Sequence, residues 1–211
     1  MNKNLYSLIL SEDVVAEVDR LAYAANTSRS NMVNRILAEY VSMQTPEAAV
    51  RSIFDAVEQA LLGDSGFQRM LGGDFTMNLR TALAYKYNPT VRYSIELFGG
   101  GDTLGEIRVS FRTQNAALSL CMTQFFKLWQ RLERYYGGDG IRSGITDGRF
   151  VRVLRRPACP EDLVGDAISD YVRCFDGALK AFFAVLNRGG PGDVAAAEAE
   201  RVYRTLTDRK L

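Results

Sequence analysis

Histidine is absent from the chain. That removes Ser-His-Asp and Cys-His nucleophile systems, His-ligated zinc and imidazole acid–base chemistry. Cysteine is scarce. Cys121, Cys159 and Cys174 are odd in number and widely spaced, which is not a disulfide framework, and no C-x-x-C pair suggests a metal site. Cys121 and Cys174 fall on helical patterns, where the ordinary reading is a buried free thiol. No apolar run approaches the roughly 18 residues that span a bilayer, so no membrane partner is expected. Met1-Asn2-Lys3-Asn4 has neither the apolar core nor the cleavage site of a secretory signal, so a cytoplasmic protein is expected. Asp and Glu are plentiful but none sits in a recognisable catalytic spacing. We expect no catalytic residue, no metal and no cofactor, and an enzyme is the least expected class.

What remains is ordinary for a folded protein: 211 residues, 47% hydrophobic and 24% charged. The length allows one large domain, or a small module followed by a medium one. The formal net charge is only +1, yet it is unevenly spread. Residues 76–156 hold 13 basic and 6 acidic side chains, a net +7, and every other part of the chain is mildly acidic. A basic block is one footprint of a nucleic-acid surface; neutralisation of the acidic flanks is the plainer alternative.

The most informative stretch runs from Lys3 to Met43, KNLYSLILSEDVVAEVDRLAYAANTSRSNMVNRILAEYVSM. Leu5 to Leu10 reads as a strand, with Tyr6, Leu8 and Leu10 on one face and Leu5, Ser7 and Ile9 on the other. Ser11 is positioned as an N-cap. Val14, Val15, Val18, Leu21 and Ala22 then recur at helical spacing behind an acidic first turn. Ser28 caps a second helix whose apolar face is Met32, Val33, Ile36, Leu37, Tyr40 and Val41. Both helices are about three turns long and marginal alone.

This stretch resembles the ribbon-helix-helix (CopG/Arc/MetJ-type) family of DNA-binding dimers. The resemblance implies a module that pairs with a second copy of itself through the N-terminal strand, the joined strands forming a ribbon that enters the major groove. It places Tyr6, Leu8 and Leu10 inward and Leu5, Ser7 and Ile9 at the base-reading positions. Of these only Ser7 can hydrogen-bond a base edge, while Leu5 and Ile9 can meet thymine methyl groups. It also places Ser28, Arg29, Ser30 and Asn31, at the start of the second helix, against a phosphate.

Beyond residue 45 the pattern changes. Thr45-Pro46-Glu47 starts a helix that runs to about Leu62, stopped by Gly63-Asp64-Ser65-Gly66. Gly72-Gly73-Asp74 marks a second break. Met77 to Tyr87, Val91 to Leu97 and Glu106 to Arg112 alternate as strands of an antiparallel meander, joined by Asn88-Pro89 and by Gly99 to Asp102. Its wet face is expected to carry Arg80, Lys86, Arg92, Arg108 and Arg112 against Glu96 and Glu106, a possible second basic surface. A helix from about Gln114 to Tyr136 presents Trp129 as a core anchor. A glycine-rich loop spans Gly137 to Gly148, followed by a fourth strand over Arg149 to Arg156, a long helix from Pro160 to Asn187, and a last helix from Val194 to Thr207. The apolar face of that last helix is thin, so fraying or docking on a partner is expected.

The expected fold class is α+β: a dimeric ribbon-helix-helix module over residues 1–45, then a helix-covered antiparallel sheet domain over 46–211. The leading function is a DNA-binding transcriptional regulator with a C-terminal domain for oligomerisation or sensing. Alternatives are a DNA accessory protein of a mobile element or partition system, and a protein-interaction scaffold that keeps only the dimer ribbon. Expected partners are DNA, a second copy of the chain, and a protein partner or small-molecule effector. The lack of histidine argues against a nickel-type sensor.

Overall fold

A computed structural model describes residues 7–41, 45–63, 66–86, 88–98, 101–138, 140–156 and 161–207, with the backbone only at 161, 162, 206 and 207. Its class is α+β, with six helices and a six-stranded sheet that is antiparallel throughout.

The chain opens on two helices, α1 (Glu12–Ala24) and α2 (Arg29–Tyr40). The expected strand is not found as a ladder. Leu5 and Tyr6 lie outside the described residues, and Ser7 to Leu10 pair with no strand among the described residues. The physical reason is that a lone strand exists only where a second strand accepts its hydrogen bonds, and one chain supplies no such neighbour here. Leu8 and Leu10, expected inward, are exposed. Ser28 caps α2, its hydroxyl accepting from the Asn31 N–H at 3.3 Å, whereas Ser11 precedes α1 without a side-chain cap bond.

Helix α3 (Pro46–Leu61) begins as its sequence directs: the Thr45 hydroxyl accepts from the Ala48 N–H at 3.1 Å and Pro46 takes the first helical position. The sheet follows as β1 (Gln68–Gly73), β2 (Thr76–Ala82), β3 (Thr90–Leu97) and β4 (Thr103–Phe111). Then come α4 (Ala116–Gly137), β5 (Arg142–Thr146), β6 (Arg149–Arg155), α5 (Glu161–Asn187) and α6 (Gly192–Thr207). The strand order is β1-β2-β3-β4-β6-β5.

Two of these strands replace expected glycine breaks. Gly72 belongs to β1, where a Cβ would lie 2.1 Å from the Thr76 carbonyl oxygen, so the glycine permits a close backbone approach rather than ending the strand. In β5 the turn is Asp147-Gly148, with φ of 51° and 71°. Positive φ at both positions of a two-residue loop, closed by the Thr146–Arg149 pair, makes a tight hairpin of the type that suits strand twist. Strand β2, expected to reach Tyr87, ends at Ala82 opposite Thr90. Asn88 turns at φ 43°, and Pro89 has no N–H to extend the ladder.

Helices α3 to α6 cover one face of the sheet. Met77, Leu79, Val91, Tyr93, Ile95, Ile107, Val109 and Phe150 point into that layer and are buried. Trp129 is fully buried, as expected of an anchor, with Phe175 and Tyr203 each 4.8 Å from it between ring centres. Helix α6 does not fray: Ala195, Ala199 and Tyr203 are buried in the same core. Small side chains let it lie close to its neighbour, which is why its apolar face looks thin in sequence. Cys174 is buried and Cys121 half-buried; Cys159 lies outside the described residues.

Two acids are buried in this core. Glu133 on α4 pairs through Oε1 with Arg152 of β6, and the Tyr171 hydroxyl donates to the same oxygen at 2.7 Å. The Trp129 indole N–H donates to it at 3.2 Å and to the Tyr171 hydroxyl oxygen at 3.0 Å. Asp176 on α5 accepts from Thr81 at 2.7 Å and Tyr93 at 2.8 Å, with Lys180 Nζ at 2.6 Å. Breaking a buried pair leaves an uncompensated charge, so Arg152→Met should cost about 3–5 kcal/mol in urea unfolding. The double variant Glu133→Gln/Arg152→Met should recover a large part of that loss; a double variant no more stable than the single would refute this account.

Burial, and next the Asp176 carboxylate, pushes the Tyr93 hydroxyl well above the usual phenol range; burial and Glu133 do the same for Tyr171. Above a pH of about 10 the unfolded chain releases these protons while the folded chain holds them. Stability is therefore fully present below that pH and falls as pH rises further. Urea midpoints measured across the alkaline range should show this decline, and Tyr171→Phe should make it shallower.

Candidate nucleic-acid interface

The N-terminal helix pair buries little of itself. Val18, Ala22 and Met32 form a core of their own, separate from the large one, with Leu21, Ala25 and Val33 packed against it. The remaining positions of the α2 stripe are open: Ile36, Leu37, Tyr40 and Val41 are exposed, Tyr40 by 88%. Val14 on α1 is exposed too, and Ile9 is fully so. The sequence places Val14, Ile36, Leu37, Tyr40 and Val41 in the apolar faces of the helices and Ile9 on the base-reading face of the strand; the chain alone covers only the beginning of the helical set.

At the start of α2, Ser28, Arg29 and Ser30 are exposed and Asn31 is half-buried. The Asn31 N–H is taken by the Ser28 hydroxyl. The N–H groups of Arg29 and Ser30 have no acceptor within the helix, as at any helix start. Arg29 is not a free cation. Its Nε donates to Asp19 Oδ1 at 2.6 Å and its Nη2 to Oδ2 at 2.5 Å, a bidentate pair across the two helices. The hydrogen bond lowers the Asp19 carboxyl below its ordinary value and raises the guanidinium. Arg20 is tied to Glu17 in the same manner. Ser7 is exposed; Leu5 lies outside the described residues. The structure therefore gathers Ser28, Arg29, Ser30 and Asn31 at one helix start and leaves Ser7 and Ile9 on an unpaired segment.

The second expected surface is more open. Cross-strand register puts Gln68, Arg80, Arg92 and Ser110 in one rank on the face opposite the helices. Arg80 and Arg92 are exposed and directly opposed, and Arg80 Nε donates to the neutral Gln68 side chain at 2.9 Å. Two expected members differ. Arg108 is consumed by Glu96 at 2.9 Å and by Glu106, so it adds no net charge. Lys86 is exposed in the turn after β2, not on the sheet, because β2 ends early. Arg112 is exposed one residue past β4.

Sequence reasoning missed Arg142, because its strand was read as loop. The signal was present in the alternation of Arg142, Gly144 and Thr146 with Ser143 and Ile145, and in the Asp-Gly turn. In β6, Arg149 and Arg155 face out, but Arg152 faces the core, register-paired with Ile107. The cue was Glu133 inside the α4 apolar stripe, a buried acid needing a cation.

A cleft of about 720 Å³ lies between the α1–α2 turn, α3 and β1, with Phe54 beneath it and Arg51, Asp55 and Asp74 at its walls. The Thr27 hydroxyl donates to Asp74 at 3.0 Å across this boundary. Among the described residues no three Cys, Asp or Glu side chains gather as a metal cage, and no helix is long and apolar enough to cross a membrane. Comparison of the chain with family models, with characterised proteins and with solved structures returns no match.

Like charges directly opposed on a sheet cost stability, a few tenths to about 1 kcal/mol. Arg92→Thr should therefore raise the thermal midpoint, threonine being also the better strand former. A lower midpoint would show that Arg92 is held by contacts other than those described.

Proposed function

We propose that this protein is a DNA-binding homodimer whose residues 1–45 act as a ribbon-helix-helix module, working as a transcriptional regulator. One observation carries the reading. A helix pair with three buried residues of its own exposes Ile36, Leu37, Tyr40 and Val41 at helical spacing, together with Leu8, Ile9 and Leu10. Apolar surface of this kind in so small a unit asks for a partner, and the sequence resemblance supplies a second copy. In that arrangement the unpaired segment before Ser11 gains its ladder from the same segment of the other chain. The α2 N-termini, with Ser28, Ser30 and the free amides, then face phosphate.

A second reading is favoured by the Arg29–Asp19 pair. With its guanidinium neutralised and no Arg, Lys, Asn or Gln at Ser7 and Ile9, the module adds little base discrimination. The protein would then be a DNA accessory factor, held by charge rather than by sequence.

Light scattering on the purified protein should give the mass of a dimer. Leu37→Glu/Tyr40→Glu should give a monomer that still unfolds at the wild-type midpoint for the sheet domain. A monomeric wild type would end the ribbon reading. Retention of mixed genomic fragments over a salt series separates the rest: enrichment of a palindrome supports the regulator, and uniform salt-sensitive retention supports the accessory factor.

A further inference from the structure

Among the described residues the outer face of the sheet carries no helix, since α3 to α6 pack on the other side. Its charges are sorted by rank. Near the β1–β2 and β3–β4 hairpins, Glu96 opposes Glu106, and Arg108 pairs with both, leaving that end net acidic. At the other end Gln68, Arg80, Arg92 and Ser110 stand side by side. Arg149 lies one step past the Val109–Phe150 pair, in the rank of Ser110, and Thr146 is opposite it. Every member of this rank is a hydrogen-bond donor, three are arginines, and among the described residues none of the three has an acidic partner. Arg112 and Lys86 are exposed at the same end of the sheet.

We infer that this rank is a second DNA-backbone surface, a track of arginines and hydroxyls for the phosphates of a duplex. The inference rests on the DNA-binding reading but not on the module's contacts. Six strands at about 4.8 Å spacing give a track of roughly 24 Å, with Arg80 and Arg92 one spacing apart and Arg149 two spacings further. Arginine, serine, threonine and glutamine are the side chains that meet phosphate oxygens, and the rank offers no acceptor-only group to repel them. No aromatic side chain stands in the rank to stack on unpaired bases, which favours duplex over single strand. The helix pair meets the sheet domain at Asp74, the opposite end of β2, about 20 Å away at six strand residues' rise. The phosphates met here are therefore not those at the start of α2.

The test is duplex binding by the full-length protein over a salt series, using wild type, Arg80→Thr/Arg92→Thr/Arg149→Thr, and Ser28→Ala/Arg29→Ala. Each lost phosphate contact removes about 0.9 from the slope of log affinity against log salt, so the triple variant should flatten it by roughly 2.7 and weaken binding by about 500-fold at 0.1 M salt, relative to the 1 M limit where the contacts add nothing. Its thermal midpoint should not fall, because among the described residues the three arginines have no acidic partner to lose. A triple variant that binds like wild type, while Ser28→Ala/Arg29→Ala loses affinity, overturns the track and leaves the module. A wild type that ignores duplex DNA at low salt overturns both. Binding of wild type to phosphatidylserine vesicles, without binding to duplex, overturns the track in favour of a membrane surface.

Discussion

Six strands can dry one face only by turning every second residue to the other, and the rest of the molecule follows from that division. The inner face carries Leu79, Tyr93, Ile95, Ile107 and Phe150, and it draws four helices onto itself. The outer face is left to whatever residues the register dictates. In this chain the register dictates arginine. The same alternation that assembles the core thus aligns Arg80, Arg92 and Arg149, and no further folding force is needed to hold them there. Burial of the inner face, at about 25 cal/mol per Å² of apolar surface, dwarfs the few tenths of a kcal/mol that opposed arginines cost.

The two ends of the chain solve the burial problem differently. Residues 45–207 own a continuous core that includes α6. The α1–α2 pair has only Val18, Ala22 and Met32, and its α2 stripe runs on past the point where α1 can cover it. Among the described residues the two parts are joined by the Thr27–Asp74 hydrogen bond beside a cleft, and their buried cores are separate. A helix pair held this lightly is free to take its stability from elsewhere, and the homodimer proposal gives that a definite source.

Much of the fold was legible, and the failures have physical causes. Periodicity and caps located α1 to α6 to within a few residues, because Ser28 and Thr45 announce their helices through side-chain bonds to the first turn. Strands β3, β4 and β6 showed in their alternation. Strands β1 and β5 did not, since glycine in a strand marks either a close approach or a turn, and only the neighbouring strand decides which. The candidate site was legible as composition and not as geometry. Sequence could name Arg92 and Arg108 together; it could not show that Glu96 and Glu106 neutralise one and leave the other open. Nor could it show that Asp19, ten residues away, holds Arg29.

Glu133 and Arg152 also bear on the order of assembly. Strand β6 lies beside β4, yet the chain reaches it only after making α4 and β5. Until β6 arrives, α4 carries an acid in the middle of the stripe that must go inside, with no cation to receive it. Helix α4 is thus poorly suited to settle on the β1–β4 meander early, and the last strand pairing and the closing of the core become one event. The pair ties the docking of β6 on β4 to the burial of α4.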